Sequence, residues 1–111
     1  MTTDAVGGVW RYALELCAAL DAEVVLAVLG PAPDADQRAA AASVPGLRLV
    51  ETGLPLDWLS DGPGPVLAAG AAIARLAREV GADVVHLNSP ALAVADFGVP
   101  VVAVNHGCLG T

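Results

Sequence analysis

Thr2-Thr3-Asp4-Ala5-Val6-Gly7-Gly8-Val9-Trp10-Arg11-Tyr12 reads as the end of a strand, a glycine turn and the beginning of a helix. Glycine permits a sharp turn and leaves no Cβ between a ligand and the backbone amides. The first turn of a helix carries N–H groups without intrahelical partners and a partial positive charge, so the junction suits an anion. Gly-Gly before a helix more often marks only a tight turn, and the rest of the chain has to decide between the two readings. The helix itself is expected over about Val9 to Leu20. Trp10, Ala13, Leu14 and Cys17 share one face, with Val9, Leu16 and Leu20 beside them, while Arg11 and Glu15 lie one turn apart on the remaining face. That pattern packs a helix on a sheet.

Outward from this turn, strands and helices alternate. Glu23 to Leu29 (EVVLAVL) is nearly continuous in aliphatic residues, as expected of a parallel strand covered on both sides. Gly30-Pro31 stops it. Asp34-Ala35-Asp36-Gln37 has the form of a capping box before a short alanine-rich helix ending near Pro45-Gly46. Leu47 to Glu51 is the next strand, and its Arg48 and Glu51 place it toward a sheet edge. Thr52 to Pro65 is an extended connection whose Leu54, Leu56, Trp58 and Leu59 either fold back on the sheet or face a partner or ligand; folding back is the expectation. A helix follows from about Pro65 to Val80, with Val66, Gly70, Ile73, Ala77 and Val80 on one face and Gly81 as its stop. Asp83 to Asn88 (DVVHLN) is a strand, Ser89-Pro90 begins a short helix, and Phe97-Gly98 turns into a last strand over Val101–Asn105.

This order predicts an α/β fold, a Rossmann-like doubly wound parallel sheet of five strands ordered 3-2-1-4-5 with right-handed crossovers. Ligands of such sheets gather at the carboxyl ends of the strands. Gly7-Gly8, Asn88-Ser89 and Asn105-His106-Gly107 all fall on that rim. Three polar or glycine-rich strand ends converging on one cleft form a stronger argument than any one of them.

Composition narrows the class. The 111 residues suffice for one small domain, with 56% hydrophobic and 15% charged residues. A net charge of −7 argues against nucleic acid or an anionic membrane surface as partner. No run is long and apolar enough to span a bilayer, and no signal peptide opens the chain. Cys17 and Cys108 fit a reduced, cytoplasmic protein better than a disulfide framework. The nicotinamide-cofactor reading fails, because no G-x-G-x-x-G follows the first strand and Gly30-Pro31 stands where an acidic residue should follow the second. No P-loop, Ser-His-Asp order or metal-spaced His/Cys cluster is present, so neither cofactor nor metal is expected. His86 lies inside a strand pattern and reads as a packed, hydrogen-bonded residue, whereas His106, just past a strand end beside glycine, is the better functional candidate.

Three stretches together carry a family resemblance: D-x-V-G-G-V-W-x-Y-x-x-x-L at Asp4 to Leu16, D-V-V-H-x-N-x-P at Asp83 to Pro90, and P-V-V-A-V-N-H-G at Pro100 to Gly107. In this order and spacing the chain resembles the amino-terminal domain of family 4 glycosyltransferases, retaining enzymes of the GT-B fold that include glycogen-synthase-like and mannosyltransferase-like members. The resemblance implies a nucleotide-sugar donor, a sugar or small-molecule acceptor, and transfer without a metal in many members. It implies that Gly7 and Gly8 approach the donor phosphate and the acceptor, that His106 contacts the sugars at the reacting centre, and that Asn88 borders the acceptor cleft.

Two departures from that pattern shape the expectation. Only Met1 precedes Thr2-Thr3, where a buried central strand would have about five or six residues, so Met1 reads as an internal methionine. The family's carboxyl-terminal domain, which holds most of the nucleotide-sugar site, has no counterpart here. The expectation is a partial acceptor-side GT-B domain over 1–111, incomplete at both ends, inactive as an isolated chain and prone to self-association through uncovered apolar surface. The alternatives are a truncated non-catalytic product and a stand-alone Rossmann-like module binding a small molecule or anion.

Overall fold

The computed structural model describes residues 1–5, 8–20, 22–54, 63–88, 92–93 and 95–104. Its elements alternate as expected as far as β4: β1 (Thr2–Asp4), α1 (Gly8–Ala19), β2 (Val24–Leu29), α2 (Ala35–Ala42), β3 (Leu47–Glu51), α3 (Pro63–Val80), β4 (Val85–Leu87) and β5 (Val101–Ala103), while Ser89-Pro90, where a short helix was expected to begin, lies outside the described residues. All ladders are parallel. The strands form a three-stranded sheet, β1-β2-β3, and a two-stranded sheet, β4-β5. The sequence reading expected one sheet of five. The order within each sheet agrees with 3-2-1 and 4-5. β1 and β4, which would join the two, have three residues each and offer little backbone for a shared ladder. The chain divides accordingly into two units, Met1–Leu54 and Pro55–Thr111.

In the first unit β2 is the central strand, and its last four residues, Leu26 to Leu29, are all buried. Continuous burial on both faces explains why the strand has no polar alternation. Leu26 and Val28 pack with Trp10 and Ala13 of α1 and Ala41 of α2, and Met1, Ala5, Leu14, Leu47 and Leu49 close around them. The register places Thr3 opposite Val28 and Leu26 opposite Leu49. The first strand is longer than the Thr2–Thr3 expected: it runs to Asp4, and the Met1 carbonyl accepts from Ala27 N–H at 2.8 Å. The Met1 ammonium donates to Val25 O at 2.9 Å, and burial holds its pKa below the ordinary amino-terminal value. Cys17 is buried beside it, with burial pushing its thiol pKa up.

The α2 reading holds in detail. Asp34 caps the helix: its carboxylate accepts from Gln37 N–H and Gln37 Oε1 accepts from Asp34 N–H, both at 2.8 Å. β3 is the edge strand, with Arg48 and Glu51 exposed. Arg38 of α2 grips Glu51 through two N–H···O contacts of 3.0 and 3.1 Å, and the guanidinium lowers the Glu51 pKa. The chain leaving β3 stays alongside β2: Thr52 donates to Val28 O through both N–H and hydroxyl, and Gly30 N–H donates to Leu54 O at 2.6 Å. Leu54 is half-buried there, while Leu56, Trp58 and Leu59, on which the expectation of folding back chiefly rests, lie outside the described residues.

In the second unit, α3 starts two residues before the expected Pro65 and buries Ala69, Ile73 and Ala74, with Arg75, Arg78 and Glu79 outward. Gly70 sits where α3 meets the following segment. A Cβ there would stand 3.2 Å from Ala95 Cβ and 3.3 Å from Leu92 O, so a side chain would fit only if these neighbours gave way by a few tenths of an ångström. The helix ends in a Schellman motif: Ala82 N–H reaches Ala77 O, Gly81 N–H reaches Arg78 O, and Gly81 takes φ +68°. β4 and β5 are shorter than the Asp83–Asn88 and Val101–Asn105 expected. Val84, Val101 and Val102 are exposed. Among the described residues no helix is long and apolar enough to cross a membrane.

Candidate active site

In a parallel sheet the strand ends that face ligands are the carboxyl ends, and each unit presents one such end. In the first unit β1 finishes at Asp4, and after Ala5 the chain enters α1 at Gly8. Gly7 lies outside the described residues. Gly8 is the first residue of the helix and is exposed. Its φ is not in the left-handed region, and a Cβ built on it would meet nothing within 4 Å. Neither backbone geometry nor packing among the described residues therefore demands glycine at this position. What remains in its favour is that a ligand can approach the Gly8 backbone without a side chain on that residue in the way.

Asp4 is a residue the sequence reading used only as a motif letter. It is 8% exposed at the end of β1, a buried carboxylate one turn of chain before the glycines. An acidic residue closing an otherwise buried strand was the signal available for it, because carboxylates are rarely buried without partners. Gln37 was likewise read only as a cap. Its Nε2 also donates to Ala5 O at 2.9 Å, reaching from α2 to the strand end.

In the second unit, β4 alternates: Val85 and Leu87 are buried, and His86 and Asn88 share the other side. His86 Nε2 lies 3.1 Å from Asn88 Oδ1. An amide oxygen only accepts, so this contact requires the Nε2–H form of the ring. Asn88 is 7% exposed and leaves β4 where Val104 N–H, just past β5, donates to Leu87 O at 2.9 Å. His86 thus has the hydrogen-bonded character read from the sequence, and its partner is the candidate Asn88. His106 lies outside the described residues, two positions beyond Val104 in the chain.

The cations are placed unhelpfully for a phosphate. The sequence has no lysine, and its arginines are Arg11, Arg38, Arg48, Arg75 and Arg78. All five are exposed on helices or on the edge strand; Arg11 pairs with Glu15 at 3.2 Å and Arg38 with Glu51. None follows the carboxyl end of a strand. An open depression of about 620 Å³ lies at the opposite, amino-terminal end of β2, between Ala18–Leu20 and Pro45-Gly46. Its charged lining residue is Glu23, which does not attract an anion. Among the described residues no group of three His, Cys, Asp or Glu could hold a metal ion.

The comparison with protein families decides what these strand ends belong to: the model described as Glycosyltransferase Family 4 matches residues 6–110. The chain belongs to glycosyltransferase family 4. The match spans nearly the whole of this family 4 chain and includes Gly7, Gly8, Asn88 and His106. Comparison with curated proteins and with solved structures finds no match. The family assignment supports glycosyl transfer as the general activity, with a sugar donor and an acceptor as partners.

Proposed function

We propose that the chain is the acceptor-side part of a retaining GT-B glycosyltransferase that moves a sugar from a nucleotide-sugar donor to an acceptor. The observation that carries this reading is the family match over 6–110. Gly7 and Gly8 face the donor phosphate and the acceptor, Asn88 borders the acceptor, and His106 contacts the sugar at the reacting centre. Transfer breaks the bond from the anomeric carbon to the phosphate oxygen and forms one to an acceptor hydroxyl oxygen. The diphosphate leaves with the bonding electrons and takes up the proton that the acceptor hydroxyl gives up.

That departing charge has to be stabilised where it develops. With every guanidinium exposed on helices or the edge strand and no lysine in the chain, this sequence offers backbone N–H groups and no cationic clamp. The clamp comes from a carboxyl-terminal donor-binding domain, so the isolated chain transfers no sugar. Holding both substrates in reacting geometry can supply roughly 7–11 kcal/mol of the barrier, and one wall of a cleft cannot do that. The exposed Val84, Val101 and Val102 are surfaces through which the chain self-associates. The alternative of a stand-alone binding module would need a closed pocket at the strand ends. The discriminating experiment follows nucleoside diphosphate release from a panel of nucleotide sugars, with the chain alone and with a donor-binding domain added. Release only in the second case supports the proposal, and turnover by the chain alone opposes it.

A further inference from the structure

Gln37 uses both ends of its amide. Oε1 accepts from Asp34 N–H at 2.8 Å and completes the capping box with the reciprocal Gln37 N–H to Asp34 Oδ1 bond, also 2.8 Å. Nε2 donates to Ala5 O at 2.9 Å, across 32 residues of chain. Only the first of these belongs to the helix. A capping box accepts glutamate or glutamine at this position equally, but only glutamine carries an N–H that can donate to a carbonyl. The Ala5 contact, and not the cap, is therefore what calls for glutamine here.

The helix that carries Gln37 is itself anchored. Arg38 holds Glu51 of β3 through two contacts, and Ala41 is buried in the core with Trp10 and Leu26. Ala5 is the residue at which the chain leaves the β1 ladder on its way to Gly8. With its carbonyl held, the end of β1 is fixed to α2. We propose that Gln37 is a positioning residue for the strand end that precedes α1, in which its side-chain amide ties the Ala5 carbonyl to α2. The functional part of this inference rests on the reading that the turn meets the donor diphosphate.

The test uses the isotopically labelled 111-residue chain in three forms: parent, Gln37→Glu and Asp34→Ala. Gln37→Glu keeps the cap and loses the tether, while Asp34→Ala weakens the cap and keeps the tether. Backbone order at Ala5 and Gly8 and the Ala5 carbonyl carbon shift are measured by NMR, melting by circular dichroism, and anion binding by titration with inorganic pyrophosphate. The expected result is an order parameter of about 0.85 in the parent and in Asp34→Ala, falling toward about 0.6 in Gln37→Glu, with Gln37→Glu melting like the parent. Loss of one such hydrogen bond should weaken pyrophosphate binding by about two- to tenfold. Unchanged order at Ala5 and Gly8 in Gln37→Glu overturns the tether, and so does equal loosening in Asp34→Ala. Should the carboxylate unfold the chain, Gln37→Met, which loses the tether and the Asp34 N–H half of the cap, is read against Asp34→Ala, which loses the other half of the cap and keeps the tether. Absence of any pyrophosphate response at Gly8 in the parent refutes the donor-site reading of the turn, while the order parameters still decide the tether.

Discussion

Replacing Gly8 by alanine separates folding from ligand binding at this turn. Gly8 is exposed, opens α1, has no left-handed φ, and leaves a Cβ free of any neighbour within 4 Å. Under those conditions the methyl group strains nothing in the fold. Its main effect is to narrow the unfolded ensemble, which stabilises by about 0.4–1 kcal/mol. For a domain of this size that raises the melting temperature by about 2–4 °C. In a complete enzyme the same methyl group stands between the ligand and the first helical amides. Losing one hydrogen bond to a charged oxygen costs about 1.5–3 kcal/mol, which is roughly tenfold to a hundredfold in affinity. Thermal melting of the chain and donor titration of the complete enzyme read the two effects independently. A Gly8→Ala protein that melts lower than the parent would show that the fold itself needs the glycine. One that binds and turns over donor unchanged would remove the turn from the site.

Other expectations follow from the packing. Trp10→Ala empties the centre of the first unit's core and should destabilise it by about 3–5 kcal/mol, enough for denaturant melts to show a largely unfolded chain. Gly70→Ala sets a methyl group 3.2 Å from Ala95 and 3.3 Å from Leu92 O; the crowding outweighs the roughly 1 kcal/mol of helix propensity gained, so the net destabilisation in the same assay should be no more than about 2 kcal/mol. The Arg38 guanidinium lowers the Glu51 pKa. The stability this pair contributes is therefore present above the unfolded-state pKa of glutamate and lost as pH falls through the depressed folded value; Glu51→Gln should flatten the acid limb of a stability profile. His106→Ala in a complete enzyme should slow transfer much more than it lowers the melting temperature; intact turnover, or simple unfolding, would contradict the role assigned to it.

Local rules made much of the chain legible. Asp34 and Gln37 announced their capping box, Gly81 its helix stop, and the aliphatic run before Gly30 its strand covered on both faces, because each signal is contained within a few residues. The Arg11–Glu15 pair and the edge position of β3 were equally local readings. Strand lengths were not legible. Asp83, Val84 and Asn88 look like strand residues, yet only Val85–Leu87 have a partner in β5, and pairing depends on what the neighbouring strand offers. The Gln37–Ala5 tether was hidden for a similar reason: it joins residues 32 apart, and no spacing rule relates them. At the site, glycine and histidine at strand ends were visible as residue types. The His86–Asn88 contact follows from their shared strand face, but the sequence does not say which ring nitrogen is used.

The central claim is that this family 4 chain supplies one side of a sugar-transfer cleft and needs a second domain to work. Nucleoside diphosphate release from a nucleotide-sugar panel, measured for the chain alone and for the chain joined to a donor-binding domain, tests it most directly. The account predicts no release above the uncatalysed rate from the chain alone, and release from the joined protein that His106→Ala largely abolishes. Sustained release by the chain alone, or release from the joined protein that is indifferent to His106, would contradict it.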